Sequence, residues 1–277
     1  MRWPKDWGTR PAVMGVINLT PDSFSDGGQF NQLDRALAEA ERQIASGADC
    51  LDLGAQSTRP NATEVGADEE LKRLLPTLKA IRAAYPKVLI SVDTFLAVVA
   101  NQALEAGADW INDVSGGRRD SEMFPLIARA GCPFVLMHSR GTSQTMDRCT
   151  DYGEQGVAQT VLEELRAATT CALEAGVNRD QLLWDPGLGF AKTTAQNLTL
   201  LQQLETLVAE GIPLLLGPSR KRFIGAVLDE PRARARLWGT AAVCARAVEA
   251  GVAVLRVHDV GPIHQVVTMA SAIRSDR

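Results

Sequence analysis

The polar and reactive residues of this chain fall in short clusters, and each cluster follows an apolar run. Asn18 leads into a turn-rich stretch holding Asp22, Phe24 and Asp26. A second cluster holds Gln56, Thr58, Arg59 and Pro60, and later ones hold Asp93, Asn112, the Met137-His138 pair, Asp185 with Phe190, Lys221, and Arg256 with His258. Asp93, Asn112 and Asp185 each end an apolar run, so they would stand on apolar walls, where an unpaired carboxylate is costly and seeks N–H donors. A flat heterocycle with an amidine-like edge offers two parallel N–H groups to one carboxylate. Asn112 can donate and accept, which suits a ring edge of mixed polarity. Lys221 could read ring acceptors. Arg59, Arg256 and His258 form a donor set suited to phosphate oxygens. Asn18 offers a neutral oxygen that could complete a Mg²⁺ shell made mostly of phosphate and water. These residues suggest a nitrogen-heterocycle pocket beside a phosphate site, and residue types alone leave open a rim of structural ion pairs instead.

Other motifs are weaker. Gly187 and Gly189 form a G-x-G with no third glycine opening a dinucleotide-binding helix. Residues 217–221 lack the spacing of a nucleotide P-loop. His258 and His264 have no evident third zinc ligand. The five cysteines include no C-x-x-C pair and read as reduced thiols.

Eight apolar runs precede these clusters, at residues 12–17, 50–53, 88–92, 110–112, 134–137, 182–184, 213–216 and 254–257. Between them lie segments of helical period, at 33–46, 68–84, 96–106, 122–130, 152–175, 194–210, 222–227 and 236–250, with 261–275 closing the chain. Many of these end in a glycine suited to a left-handed C-cap. Short, continuously apolar strands alternating with helices imply a parallel sheet. Eight such units point to a single (β/α)8 barrel over residues 1–277, with its site at the C-terminal ends of the strands. An open doubly wound sheet is the alternative, but it requires no count of eight.

At 45% hydrophobic and 22% charged residues, the composition is that of a globular chain and excludes global disorder. A net charge of −4 argues against a nucleic-acid-coating surface. No apolar run approaches a membrane span, and no secretory signal is visible at the N-terminus, so a cytoplasmic location is expected.

Residues 14–28, MGVINLTPDSFSDGG, closely resemble the first signature of the dihydropteroate synthases. Residues 57–60 (STRP), 91–94 (SVDT), 111–117 (INDVSGG), 185–190 (DPGLGF), 219–221 (SRK) and 256–260 (RVHDV) resemble that family's later blocks, in its order. The resemblance implies that 6-hydroxymethyl-7,8-dihydropterin pyrophosphate is joined to p-aminobenzoate in folate synthesis. It implies that Asp93, Asn112, Asp185 and Lys221 bind pterin, with Met137 among the substrate contacts. Asn18, Arg59, Arg256 and His258 would meet pyrophosphate and Mg²⁺, with Thr58 nearby. Phe24, Pro60, Phe190 and Lys221 would wall the p-aminobenzoate site. The implied mechanism is an SN1-like displacement, in which Asp22 and Asp26 could stabilise the cation once their loop closes. The resemblance also implies a homodimer acting on small molecules, without nucleic-acid or membrane partners.

The chain departs from the commonest bacterial pattern at Ala55-Gln56, Ser139-Arg140 and Arg222. Arg222 stands where many members have a serine that serves the p-aminobenzoate carboxylate. Its backbone N–H at a helix start is an expected substitute.

Overall fold

The computed structural model describes residues 1–20, 29–57 and 62–275. Strands β1 (Ala12–Asn18), β2 (Cys50–Gly54), β3 (Leu89–Asp93), β4 (Trp110–Asp113), β5 (Phe134–Met137), β6 (Leu182–Asp185), β7 (Leu215–Leu216) and β8 (Val254–Val257) pair in parallel, in the order β6-β5-β4-β3-β2-β1-β8-β7. The expected open-sheet alternative fails at the last seam. Trp184 bridges Leu214, and the Trp184 N–H donates to the Pro213 carbonyl at 2.9 Å, which brings β6 to β7 and rounds the sheet into a barrel.

Helices fill the connections, as right-handed parallel crossovers require. They are α1 (Gln29–Ala45), α2 (Ala67–Ala84), α3 (Ala97–Glu105), α4 (Met123–Ala130), α5 (Gly156–Glu174), α6 (Thr194–Gln202), α7 (Leu204–Val208), α8 (Arg222–Leu228), α9 (Leu237–Ala250) and α10 (Val260–Ser275). The segment read as one helix over 194–210 is two, interrupted at Gln203. Leu200, Leu201, Leu204 and Leu207 are all buried, so the apolar period runs across the break and hides it. The strand expected over 213–216 shrinks to two residues. No helix among the described residues is long and apolar enough to cross a membrane.

Successive side chains on a strand point to opposite faces. In this barrel one face of each strand meets the helices and the other fills the interior. At the N-terminal end the interior is apolar: Met14, Cys50, Leu89, Trp110, Leu183 and Val254 belong to one buried cluster. Trp3 and Trp7 stack with ring centroids 4.6 Å apart and cover Trp110, whose indole N–H donates to the Arg2 carbonyl at 2.8 Å. Two residues further along the same strands the interior turns polar. Cys50 gives way to Asp52, Leu89 to Ser91 and then Asp93, Trp110 to Asn112, Leu183 to Asp185, and Val254 to Arg256. The alternation of the strands therefore delivers the polar groups to one end of the barrel.

Candidate active site

Asn18, Asp93, Asn112, Met137, Asp185, Phe190, Lys221, Arg256 and His258 line one cleft of about 1200 Å³ at the C-terminal ends of the strands. Asp22, Phe24, Asp26, Thr58, Arg59 and Pro60 lie outside the described residues. The ends of β1, β2 and β3 crowd together: a Cβ on Gly54 would stand 3.7 Å from the Asp93 Cβ and 3.9 Å from the Asn18 Oδ1. That leaves Asn18 with its amide oxygen beside the carboxylate wall.

The centre of the floor is an ion-pair group. Arg256 Nε donates to Asp52 Oδ2 at 2.6 Å, and a terminal guanidinium nitrogen donates to Asp93 Oδ2 at 2.8 Å. Asn112 Nδ2 adds a longer bond to the same Asp52 oxygen at 3.3 Å. Asp52 is wholly buried, and its Oδ1 has no partner among the described residues. One guanidinium thus serves two carboxylates. Burial works against the Arg256 charge, but Asp52 and Asp93 outweigh it and hold the group firmly protonated. Burial pushes the Asp93 carboxyl up, and the neighbouring Asp52 adds to this while Arg256 pulls the other way. The residue types suit Arg256 to phosphate oxygens; its guanidinium turns instead toward the carboxylates of Asp52 and Asp93 on the strands.

Asp185 ends β6. Its Oδ1 accepts the Gly187 N–H at 2.7 Å, and its burial raises the carboxyl against that bond. Lys221 places its ammonium 4.2 Å from the centroid of the Phe190 ring, a cation–π contact across the cleft. Burial lowers the Lys221 amine to about 8, with Asp185 opposing the fall. Asp93, Asn112 and Asp185 therefore offer acceptor and mixed edges beneath a flat cationic-aromatic wall. That arrangement fits a planar ring with N–H groups along one edge.

His258 is tied to the turn after β7. Ser219 Oγ lies 3.2 Å from the His258 backbone nitrogen and 3.0 Å from Nδ1. The hydroxyl accepts from the backbone N–H, and in the neutral tautomer whose Nδ1 lacks a proton it gives its own proton to Nδ1. Nε2 then carries the ring proton and is a donor. Arg220, at a left-handed φ of 61°, forms a two-point pair with Asp259 at 2.6 and 3.0 Å, which braces the residue after His258.

The departures from the common pattern have local explanations. Gln56 accepts the Val65 N–H at 2.7 Å and donates to Glu70 at 3.4 Å, joining the β2 loop to α2. Arg222 begins α8, but its guanidinium pairs with Asp147 at 2.7 Å in an exposed bridge. Arg140 pairs with Glu164, which also accepts from His138. Asp113, beside Asn112, is a turn former: its two oxygens accept the Ser115 and Gly117 N–H groups at 2.7 and 2.9 Å.

Three residues escaped the sequence reading. Asp52 has a usable signal, a charge in mid-strand at the interior alternation of Cys50. Lys192 and Glu164 have none, because the His138 ring that joins them is 54 and 26 residues away in the sequence.

Residues 14–258 match the pterin binding enzyme family. The dihydropteroate synthase of Synechocystis is 47% identical over 272 residues, spanning 97% of this chain and 92% of that protein. The chain belongs to the dihydropteroate synthase family. Solved members of the dihydropteroate synthases superpose closely. The Clostridium difficile enzyme, crystallised in the presence of pteroic acid, gives a TM-score of 0.91 at 38% identity, covering 97% of this chain and 98% of that one. The Xanthomonas albilineans enzyme with 4-aminobenzoic acid gives 0.89 at 39% identity, covering 96% and 94%. This dihydropteroate synthase family member carries its polar strand ends in one cleft.

Proposed function

We infer that this chain condenses 6-hydroxymethyl-7,8-dihydropterin pyrophosphate with p-aminobenzoate to give 7,8-dihydropteroate and pyrophosphate. The observation that carries this reading is the trio Asp93, Asn112 and Asp185, buried at one end of the barrel interior beside the Lys221–Phe190 contact. A pterin has the amidine-like N–H edge that such carboxylates accept, and its face suits Phe190 and Met137. The relatives crystallised with pteroic acid and with 4-aminobenzoic acid support both halves of the substrate pair.

The chemistry is charge separation. The C–O bond to pyrophosphate breaks, and its electron pair leaves with pyrophosphate. The methylene cation spreads into the ring, whose N–H edge is held by the carboxylates. The neutral aniline nitrogen then forms the C–N bond and gives up a proton. His258, donating from Nε2, and Arg256 meet the growing negative charge, and Arg59 belongs with them. Lys221 reads ring acceptors and packs the face of Phe190 where p-aminobenzoate would lie, with Phe24 and Pro60 as the remaining walls and Thr58 near the pyrophosphate. Asp22 and Asp26 would stabilise the cation.

Among the described residues, no three His, Cys, Asp or Glu side chains converge as a metal cage. Asn18 supplies one neutral oxygen, which fits Mg²⁺ held mainly by pyrophosphate and water. Bound there, the ion supplies charge neutralisation for the leaving group. The reading further takes the enzyme as a cytoplasmic homodimer working on small molecules. Incubating the protein with the pterin pyrophosphate, Mg²⁺ and labelled p-aminobenzoate tests it: labelled dihydropteroate and free pyrophosphate are expected, and binding without product would refute the catalytic reading.

A further inference from the structure

Behind the cleft lies a buried polar column that the reaction above does not use. Lys192 is 9% exposed, and its ammonium has three acceptors: His138 Nδ1 at 3.0 Å, the Gly187 carbonyl at 3.1 Å and the Phe190 carbonyl at 3.0 Å. An ammonium has three N–H donors and no acceptor, so the site matches it proton for proton. The same logic fixes the imidazole. Nδ1 must present its lone pair to Lys192, so Nε2 carries the proton and donates to Glu164 at 2.8 Å.

The two carbonyls belong to the turn that carries the site. Residues 187, 189 and 191 all take left-handed φ values, 69°, 77° and 51°. A Cβ on Gly187 would run into the His138 carbonyl oxygen. Ala191 takes the left-handed conformation without a glycine's freedom, a strained choice that persists only where the surroundings dictate it. The surroundings do so: Tyr152 donates to the Ala191 carbonyl at 3.1 Å, and Asn197 accepts the Gly189 N–H at 2.7 Å. Gly187 is also the residue whose N–H holds the Asp185 carboxylate. A shift of Gly187 turns Asp185, and a shift of Phe190 moves the aromatic wall.

We propose that Lys192 is a positioning residue, an ammonium clamp oriented by His138 and Glu164 that fixes the Asp185–Phe190 turn for the pterin ring. The proposal rests on the pterin reading of that turn. The states of His138 and Glu164 agree with it, and the ammonium form of the clamp is complete below about pH 7. Burial and the Lys192 charge keep His138 neutral, down to about 4. The His138 hydrogen bond, with Arg140, holds Glu164 near 2 against burial. Burial lowers Lys192 to about 7, opposed chiefly by Asp185, with Glu164 also raising it and Arg140 and Lys221 lowering it; the Tyr152 ring lies 6.0 Å away.

The test is Lys192→Met, which keeps the length and removes the donors, read by pteroic acid calorimetry and by ¹⁵N-histidine NMR; the chain has only 3 histidines. We expect the folded variant to bind pteroic acid about tenfold or more weakly, since small misplacements of a site are expensive. Its KM for the pterin substrate should rise more than kcat falls. In the wild type His138 should remain a neutral Nε2–H tautomer between about pH 5 and 8, and loss of the Lys192 charge should raise its midpoint in the variant. A folded variant binding within about twofold of wild type, or a wild-type His138 that titrates in that range, overturns the clamp. If Lys192→Met does not fold, the wild-type spectrum decides. Wild-type protein that fails to bind pteroic acid refutes the pterin reading instead, and the spectrum still tests the clamp.

Discussion

The pairing of Arg256 with two carboxylates makes a stability prediction that can be separated from activity. Asp52 is wholly buried and, among the described residues, draws its one ion-pair partner from Arg256, at 2.6 Å. Arg256→Met keeps most of the side-chain volume and strands the Asp52 charge. Removing one member of a buried pair costs about 3–5 kcal/mol. For a chain of this length the unfolding entropy is roughly 0.6 kcal/mol/K, so the melting temperature should fall by about 5–9 °C at pH 7.5. The double variant Asp52→Asn/Arg256→Met removes the stranded charge and should recover more than half of the loss. Scanning calorimetry of the four proteins closes the cycle. A single variant melting within about 1 °C of wild type, or a double variant that loses the sum of the two single losses, would refute the pairing.

Asp93 has a carboxyl raised by burial, so its folded state holds a proton more tightly than the unfolded chain does, and its contribution to stability falls as pH rises above about 4. Asp93→Asn should therefore melt no lower than wild type at pH 7.5 while losing pteroic acid affinity; a large drop in melting temperature would show that the charge is needed for folding. Glu70, fully buried and raised by burial to about 7, has one oxygen without a partner among the described residues. Glu70→Gln should stabilise the protein by an amount that grows as pH rises from about 4.5 to 7, and calorimetry showing a pH-independent difference would exclude this. Asp185→Asn removes a charged acceptor and should weaken pteroic acid binding by about 1.5–3 kcal/mol; unchanged affinity in a folded variant would remove Asp185 from the ring edge.

The barrel was legible because its strands are short, apolar and closed by polar residues, and because Asp93, Asn112 and Asp185 each stand where an apolar run stops. The interior floor was harder to read. Asp52 lies inside the run Cys50–Gly54, between two leucines, and only the alternation of the strand separates its interior face from theirs. The pairing of Lys192 with His138 is hidden for another reason. His138 is 54 residues away, and no local pattern records that two strand ends are neighbours. Arg256 was legible as a cation but not in its direction, because the choice between phosphate and carboxylate depends on which groups share its layer of the barrel.

The seam between β6 and β7 has a consequence for how the protein breathes. β1 and β2 stay in register over five residue pairs, whereas β6 meets β7 through the single bridge at Trp184 and Leu214. A ladder with so few bonds is where a closed sheet opens first. Asp185 stands on one side of that seam, and Gly217 and Lys221 follow the other. A ring gripped from both sides would span the gap like an added cross-strand link, and its binding energy would be drawn into holding the cylinder shut. Amides at Leu215 and Leu216 should then exchange early in the empty protein and slow sharply when the cleft is filled. On this view the substrate completes the wall that holds it.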